Sequence, residues 1–145
     1  MATDIKMIGE FGVSFSKGLD QTWFILKKHE FGYAMSLYQF VEDDSDSEND
    51  PIDTTKKISF EQGENILRQV FEKACLEQWE KQYTKADIGP ITELNWTIDV
   101  DDLDGNDMMM VSGNWKFPPN GWMTEVIRAV RTGEPAFGKC FRDLQ

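Results

Sequence analysis

Carboxylates are the side chains that could carry chemistry in this sequence, and many of them are concentrated in two runs. Residues 42–53 contain seven acidic residues and residues 99–107 contain five, and neither run contains a base. Grouped carboxylates suit hard cations, but a calcium loop built around Gly105 requires an Asp five residues earlier and a Glu six residues later. Val100 and Val111 occupy those two positions. We therefore expect no specific metal site, and weak cation binding by residues 99–107 stays open. We predict that both runs are solvated loops in which carboxyl pKa values stay low.

Nucleophilic and cofactor chemistry lack their sequence signatures. The chain has one histidine, His29, and two cysteines, Cys75 and Cys140, and none of them lies in a G-x-S-x-G or other strong active-site motif. One histidine and two distant cysteines are too few ligands for zinc. The sequence has no glycine-rich phosphate loop and no G-K-S or G-K-T motif. It therefore predicts no cofactor, no catalytic residue and no enzymatic activity.

The net charge of −11 is concentrated in the two acidic runs. Outside them, the remaining 14 acidic residues nearly balance the 15 basic ones. An acidic surface repels phosphate backbones, and no basic stripe is present to release counterions, so direct binding to nucleic acid is not expected. Concentrated carboxylates instead attract basic proteins and speed their association. The charge distribution therefore favours a basic protein partner.

Hydropathy gives an expectation about location. No apolar run approaches the roughly 20 residues that a membrane span needs. The first ten residues lack the basic stretch and apolar block of a signal peptide. Two cysteines are too few to indicate an oxidising compartment. We therefore expect a cytoplasmic protein that does not bind membranes.

The spacing of apolar residues predicts the element order βββαββα. Three segments within residues 5–41 alternate between apolar and polar residues and are separated by turn residues, which predicts an antiparallel meander. Residues 42–57 have almost no apolar side chains and are predicted to form a flexible acidic loop. Ser59 and Gln62 match a capping box. Apolar residues then recur at intervals of three and four, which predicts one helix over residues 60–83.

The second half of the chain predicts two further strands and a second helix. Residues 94–100 alternate, whereas residues 108–111 are apolar on both faces and are expected to be covered on both. Asn120 is expected to cap a helix that ends near Gly133. Residues 1–145 are therefore predicted to form a single α+β domain, with a mostly antiparallel sheet of about five strands and both helices packed on one face.

A sequence pattern also occurs in the second half. Trp96 begins the motif W-x-I-x-V, a turn follows, and Gly113 begins G-N-x-x-F-P, which precedes the last helix. This arrangement resembles a group of small bacterial proteins of uncharacterised function, whose typical ending is W-x-[IL]-x-[VI], a turn, G-N-x-x-[YF]-P and a helix. The match covers about residues 59–131. The matching residues look structural, and the resemblance implies no catalytic residue.

These observations together favour a non-enzymatic, acidic protein-binding module for a basic partner, of the kind that inhibitors and immunity proteins represent. The acidic loop is expected to attract the partner, and two tryptophans near the second helix are expected to anchor it. The residues predicted to contact the partner are Asp43, Asp44, Asp46, Glu48, Trp115 and Trp122.

Two other functions stay open at this stage. The first is an accessory or structural subunit that docks through the aromatic residues 115–122. The second is a small-ligand-binding protein or enzyme whose site residues are dispersed along the chain. The two tryptophans also have a purely structural interpretation, in which they fill the end of the core. An exposed apolar patch would favour docking, whereas burial of both tryptophans would favour core filling.

Overall fold

The computed structural model of the protein describes residues 4–40, 52–83, 94–114 and 116–137. These residues form an α+β fold, as predicted. Its elements in chain order are β1 (Ile8–Lys17), β2 (Asp20–His29), β3 (Gly32–Phe40), β4 (Ile52–Ile58), α1 (Phe60–Glu72), β5 (Gln82–Tyr83), β6 (Leu94–Asp102), β7 (Asp107–Gly113) and α2 (Trp122–Gly133).

The strands form one seven-stranded sheet in the order β4-β3-β2-β1-β6-β7-β5. The meander β1–β2–β3 and the hairpin β6–β7 are antiparallel, which confirms the two groups of strands expected from alternation. The short strand β5 runs parallel to β7, so the sheet is mixed. The prediction of about five strands was therefore too low, because it missed β4 and β5.

Strand β4 corrects part of the predicted loop over residues 42–57. Residues 52–58 pair with β3 at the edge of the sheet, and the rest of that segment lies outside the described residues. The side chains of residues 53–57 are all exposed. An edge strand of this kind carries no alternation between apolar and polar residues, since neither of its faces needs an apolar side chain. Strand β5 has only two residues, which is too short for any periodic pattern.

Both helices pack on the same face of the sheet. A Cβ atom added to Gly63 of α1 would overlap the ring of Tyr33, and one added to Gly133 of α2 would lie 2.7 Å from the sulfur of Met35. Tyr33 and Met35 are two residues apart on β3, so they point to one face. We call this the helix face. The opposite face, which we call the open face, is covered by neither of the described helices.

The core fills the space between the helix face and the two helices. Alternate residues of β1, β2, β3 and β6 point into it, and α1 and α2 each contribute an apolar stripe. The largest fully buried side chains are Trp96, Tyr33, Phe11, Phe24, Phe137, Ile8, Leu26, Met35, Leu37, Leu67, Leu76 and Leu94. Neither described helix is long and apolar enough to cross a membrane.

Helix α1 begins as predicted but ends earlier. The capping box between Ser59 and Gln62 is present, while the helix ends at Glu72 rather than near residue 83. Cys75 adopts a left-handed conformation, with φ of 52°, and interrupts the helical backbone. The indole nitrogen of Trp79 then donates a hydrogen bond of 2.6 Å to the carbonyl of Ala74. Apolar spacing continues beyond this break, which explains why the pattern predicted one long helix.

The start of α2 also differs from the prediction. Asn120 does not cap the helix. The N-cap residue is Gly121, which has no side chain that could accept a capping hydrogen bond. Asn120 and Gly121 have φ values of 65° and 68°. Both residues therefore form a left-handed turn before the helix, a conformation that asparagine and glycine tolerate better than other residues.

Strand β7 is covered on one face only. Met108 and Met110 are 42% and 53% exposed, whereas Val111 is buried. The expectation that residues 108–111 are covered on both faces was therefore wrong. The reason is that the described helices both lie on the helix face, so the methionine side chains of the open face keep their contact with solvent.

Candidate functional site

Most of the residues that the sequence predicted as partner contacts are not among those that the structure describes. Four of them, Asp43, Asp44, Asp46 and Glu48, and also Trp115, lie outside the described residues.

The remaining predicted contact, Trp122, is half-buried at the start of α2. Its ring stacks on Trp79, with ring centres 6.4 Å apart and an angle of 8° between the planes. Trp79 also contacts Trp96, which belongs to the core. Trp122 therefore has a packing role at this end of the core.

A group of carboxylates on the open face emerges only from the folded structure. Oxygen atoms of Asp99 and Asp101 on β6 and of Asp107 on β7 all lie within 4.8 Å of one another. Asp101 is paired with Asp107 across the β6–β7 hairpin. On the other side, Asp101 is paired with Glu10 of β1. We call these four residues, Glu10, Asp99, Asp101 and Asp107, the acidic cluster.

The turn between β6 and β7 fixes the geometry of the cluster. Asp102 accepts two hydrogen bonds of 2.9 Å through Oδ1, one from the backbone N–H of Asp104 and one from that of Asn106. The hydrogen bond from Asn106 has the largest effect, and together with the one from Asp104 it holds the pKa of Asp102 below its usual value. The turn is thus held by its own side chain. Its tip at residues 103–107 is exposed, as expected for a solvated hairpin loop, whereas Asp99 and Asp101 lie within β6 and are partly buried.

The electrostatics of the cluster also differ from expectation. Burial raises the pKa of Asp99, and the charges of Asp107 and Glu10 raise it further. Burial, a hydrogen bond to Asp107 and the charge of Asp99 raise the pKa of Asp101 from 3.8 to about 6. The predicted low pKa values were therefore wrong for these two residues. The backbone of β6 holds both carboxyl groups on one face, where like charges disfavour ionisation.

Two oxygen atoms of the cluster have unused capacity to accept hydrogen bonds. The Oδ1 atoms of Asp99 and Asp101 are both buried, and neither accepts a hydrogen bond within the described structure. Buried polar atoms normally have a partner, since an unpaired one costs about 1–3 kcal/mol. Asp99 and Asp101 therefore each bury one carboxylate oxygen that the described chain leaves without a hydrogen-bond donor.

A cavity of about 260 Å³ lies on the open face beside the cluster. Residues of four strands line it: Glu10, Gly12, Val13 and Ser14 of β1, Trp23, Phe24 and Ile25 of β2, Thr97 and Asp99 of β6, and Met110 of β7. Trp23 is stacked on Tyr38, with ring centres 5.4 Å apart and an angle of 13° between the rings. The cavity thus combines an aromatic wall with two carboxylates.

This arrangement can attract a cation. Sequence reasoning missed it because the cluster depends on the register between β1, β6 and β7. One signal was available in the sequence. Asp99, Val100 and Asp101 alternate, and in a strand that alternation places both carboxylates on the face opposite to the buried valine.

Comparisons of the chain with protein-family models, with curated proteins and with solved structures give no match. The resemblance over residues 59–131 therefore stays a prediction. The function has to be inferred from the geometry and chemistry of the open face.

Proposed function

We propose that the protein is a non-enzymatic binding module that recognises a basic protein partner, and that the partner docks on the open face of the sheet. The observation that carries this proposal is the acidic cluster, in which three strands bring four carboxylates to one surface. A protein of this kind would serve as an inhibitor or immunity-type protein, which blocks a basic protein by covering its positive surface.

The electrostatic state of the cluster supports a cationic partner. The raised pKa values of Asp99 and Asp101 mean that the environment of each group disfavours its charged form. Lys27 is paired with Glu10 across β1 and β2, but its side chain is exposed. The charge of Lys27 therefore compensates only part of the repulsion among the carboxylates. Cations from a docked partner would reduce this repulsion further.

The apolar residues around the cluster support a protein rather than a simple ion as the partner. Trp23 and Ile25 are half-buried on the open face, and Met110 is 53% exposed. Aromatic residues and methionine are enriched at protein interfaces, where they supply contact area next to polar groups. A surface that mixes these side chains with carboxylates therefore fits a basic protein segment that also has apolar atoms to bury.

The acidic residues predicted from the sequence have a complementary role in this proposal. Asp43, Asp44, Asp46 and Glu48 would attract the basic partner over distances up to the Debye length, about 8 Å at physiological salt. Such charges mainly increase the rate of association. We place this function in the cytoplasm, where the free cysteine Cys75 would stay reduced.

A titration with a basic probe tests the docking surface. We would add a synthetic peptide of repeated Gly-Arg-Gly-Lys to ¹⁵N-labelled protein and record the amide shifts by NMR. The proposal predicts saturable shifts on β1, β2, β6 and β7 and little change on α1 and α2. Shifts that are confined to the helices, or that never saturate, would contradict docking on the open face.

Two double variants with the same change in net charge provide the control. Asp99→Asn with Asp101→Asn neutralises the open face, and Glu61→Gln with Glu72→Gln neutralises exposed positions on α1. We expect the first variant to weaken peptide binding by about tenfold or more, because charge-assisted hydrogen bonds are lost. The second should leave binding almost unchanged. Equal weakening by the two variants would mean that net charge alone governs binding.

A further inference from the structure

The cavity on the open face has the size of a site for a single side chain. Its volume of about 260 Å³ is below the roughly 300 to 1,000 Å³ of typical small-molecule sites. One long side chain from a docked protein fits in this space.

The floor of the cavity is Gly12, and the fold itself does not require glycine there. Gly12 lies in the interior of β1, and a Cβ atom added to it would meet only the carbonyl oxygen of Phe24 at 3.7 Å and Cγ1 of Ile25 at 3.9 Å. These are ordinary van der Waals distances. At Gly113, by contrast, an added Cβ would lie 2.6 Å from the Trp96 ring.

Glycine in a strand interior is unfavourable by roughly 0.5–1 kcal/mol relative to alanine. A strand glycine often marks a place where a ligand approaches the backbone closely. Since Gly12 meets no steric demand from its described neighbours, its main structural effect is to keep the cavity open.

The lining of the cavity selects for a planar cation. The indole of Trp23 supplies a flat aromatic surface, and such surfaces attract cations and stack with the guanidinium of arginine. Glu10 and Asp99 supply carboxylates to the lining. Guanidinium donates several N–H groups in a rigid plane that matches a carboxylate. Lysine has a compact ammonium group that makes less use of an aromatic wall.

We infer that the cavity receives an arginine side chain of the basic partner, with its guanidinium against Trp23 and hydrogen-bonded to Asp99 and Glu10. This inference rests on the proposed function, because it names the group by which a basic protein would be anchored on the open face. Charge complementarity selects the occupant, since the cavity joins the acidic cluster through the two residues Glu10 and Asp99.

The test uses small probes that carry one side chain each. We would titrate ¹⁵N-labelled protein with the Nα-acetylated amides of arginine, lysine and citrulline, and follow the amide signals of Gly12, Trp23 and Asp99. The arginine probe is expected to give saturable shifts at these residues and the lysine probe to bind more weakly. Citrulline has a similar shape but no charge, so it should give no saturable shift.

Three variants of cavity residues and one control variant connect the binding to the cavity. Asp99→Asn should weaken arginine binding by about tenfold through loss of a charge-assisted hydrogen bond. Gly12→Val should abolish it by filling the floor. If the valine variant does not fold, Gly12→Ala, for which the backbone has room, should still weaken binding. Glu72→Gln on α1 should leave binding unchanged.

The outcomes separate this inference from the proposed function. If the basic peptide binds the open face but Gly12→Val does not affect it and the arginine probe gives no shift, the arginine site is wrong and open-face docking stands. If neither probe binds, both are wrong. Equal binding of citrulline or of lysine would overturn the arginine site. Saturable shifts with Ca²⁺ alone, and none with arginine, would also overturn it.

Discussion

Gly12 is paired with Asp99 across the β1–β6 ladder, so a position without a side chain lies directly beside a carboxylate of the acidic cluster. On its other side, Gly12 is paired with Ile25 of β2. This register creates the cavity of the open face, because the side chains on both neighbouring strands stand above a floor of bare backbone. The site therefore depends on strand pairing as much as on residue type.

The two strand glycines Gly12 and Gly113 should respond in opposite ways to alanine. Gly12→Ala is expected to raise the free energy of unfolding by about 0.5–1 kcal/mol, because alanine restricts the unfolded chain and the added methyl group has room. Gly113→Ala is expected to lower it by about 1–3 kcal/mol, because the methyl group would press on Trp96 and on the carbonyl of Tyr83. Urea unfolding of both variants measures the difference, and a loss of stability in Gly12→Ala would contradict the open floor.

The raised pKa of Asp101 predicts that stability depends on pH. An acid whose pKa is higher in the folded protein binds more protons there, so its contribution to stability decreases as pH rises from 3.8 to about 6. Asp101→Asn should therefore be more stable than wild type at pH 7, by about 1 kcal/mol after allowance for solvent screening. Below pH 3.8 the two proteins should converge. Thermal unfolding between pH 3 and 8, at roughly constant ionic strength, would measure this.

A second charge variant checks the cause of that pH dependence. Asp104→Asn removes the same charge from the exposed tip of the hairpin. It should shift the stability curve little between pH 4 and 6. If both variants flatten the curve equally, general repulsion among the many acidic groups, and not the site of Asp101, is responsible.

The hydrogen bond from Trp79 to Ala74 predicts a specific loss of stability. Trp79→Phe keeps much of the aromatic packing but leaves the carbonyl of the buried Ala74 without the indole donor. We expect the free energy of unfolding to fall by about 1–3 kcal/mol. Trp122→Phe, which affects only the outer ring of the same stack, should cost less. Equal losses in urea unfolding would mean that packing, and not the hydrogen bond, holds the end of α1.

The ion pair between Lys56 and Glu134 predicts non-additive effects. Glu134 is almost fully buried, and its carboxylate lies 3.1 Å from the ammonium nitrogen of the more exposed Lys56. Lys56→Met should lower stability by about 2 kcal/mol, because it leaves a buried carboxylate without its cation. Adding Glu134→Gln should recover part of that loss. Additive effects in this double-mutant cycle would show that the two side chains are not coupled.

Much of the fold could be predicted from the sequence because its periodicities are strong. The alternation in β1, β2, β3 and β6 and the apolar stripe of α2 correspond directly to one buried face each. The end of α1 could not be predicted, since Trp79 and Tyr83 continue the helical spacing after the break at Cys75. The periodicity of apolar residues indicates which residues are buried, but it does not determine the backbone conformation by which they reach the core.

The candidate site could be predicted only in part. Its acidic residues were visible as a run in the sequence, but their surroundings were not, because Glu10 comes from a strand about ninety positions earlier in the chain than Asp99 and Asp101. Register between distant strands decides which side chains meet, and no local pattern encodes it. Gly12 was likewise unremarkable in the sequence until its neighbours on β2 and β6 were known.

The hydrogen-bonded turn at Asp102 has a consequence for finding the partner. Because this turn orders the hairpin, the carboxylates are held close together before anything binds. Their repulsion therefore destabilises the folded chain and not the unfolded chain, in which they are far apart. A molecule that binds and neutralises these carboxylates in the folded protein, and does not bind the unfolded chain, must raise the melting temperature. Unlabelled cell fractions could therefore be screened by differential scanning fluorimetry, and the fraction that protects wild type but not Asp99→Asn would contain the natural ligand.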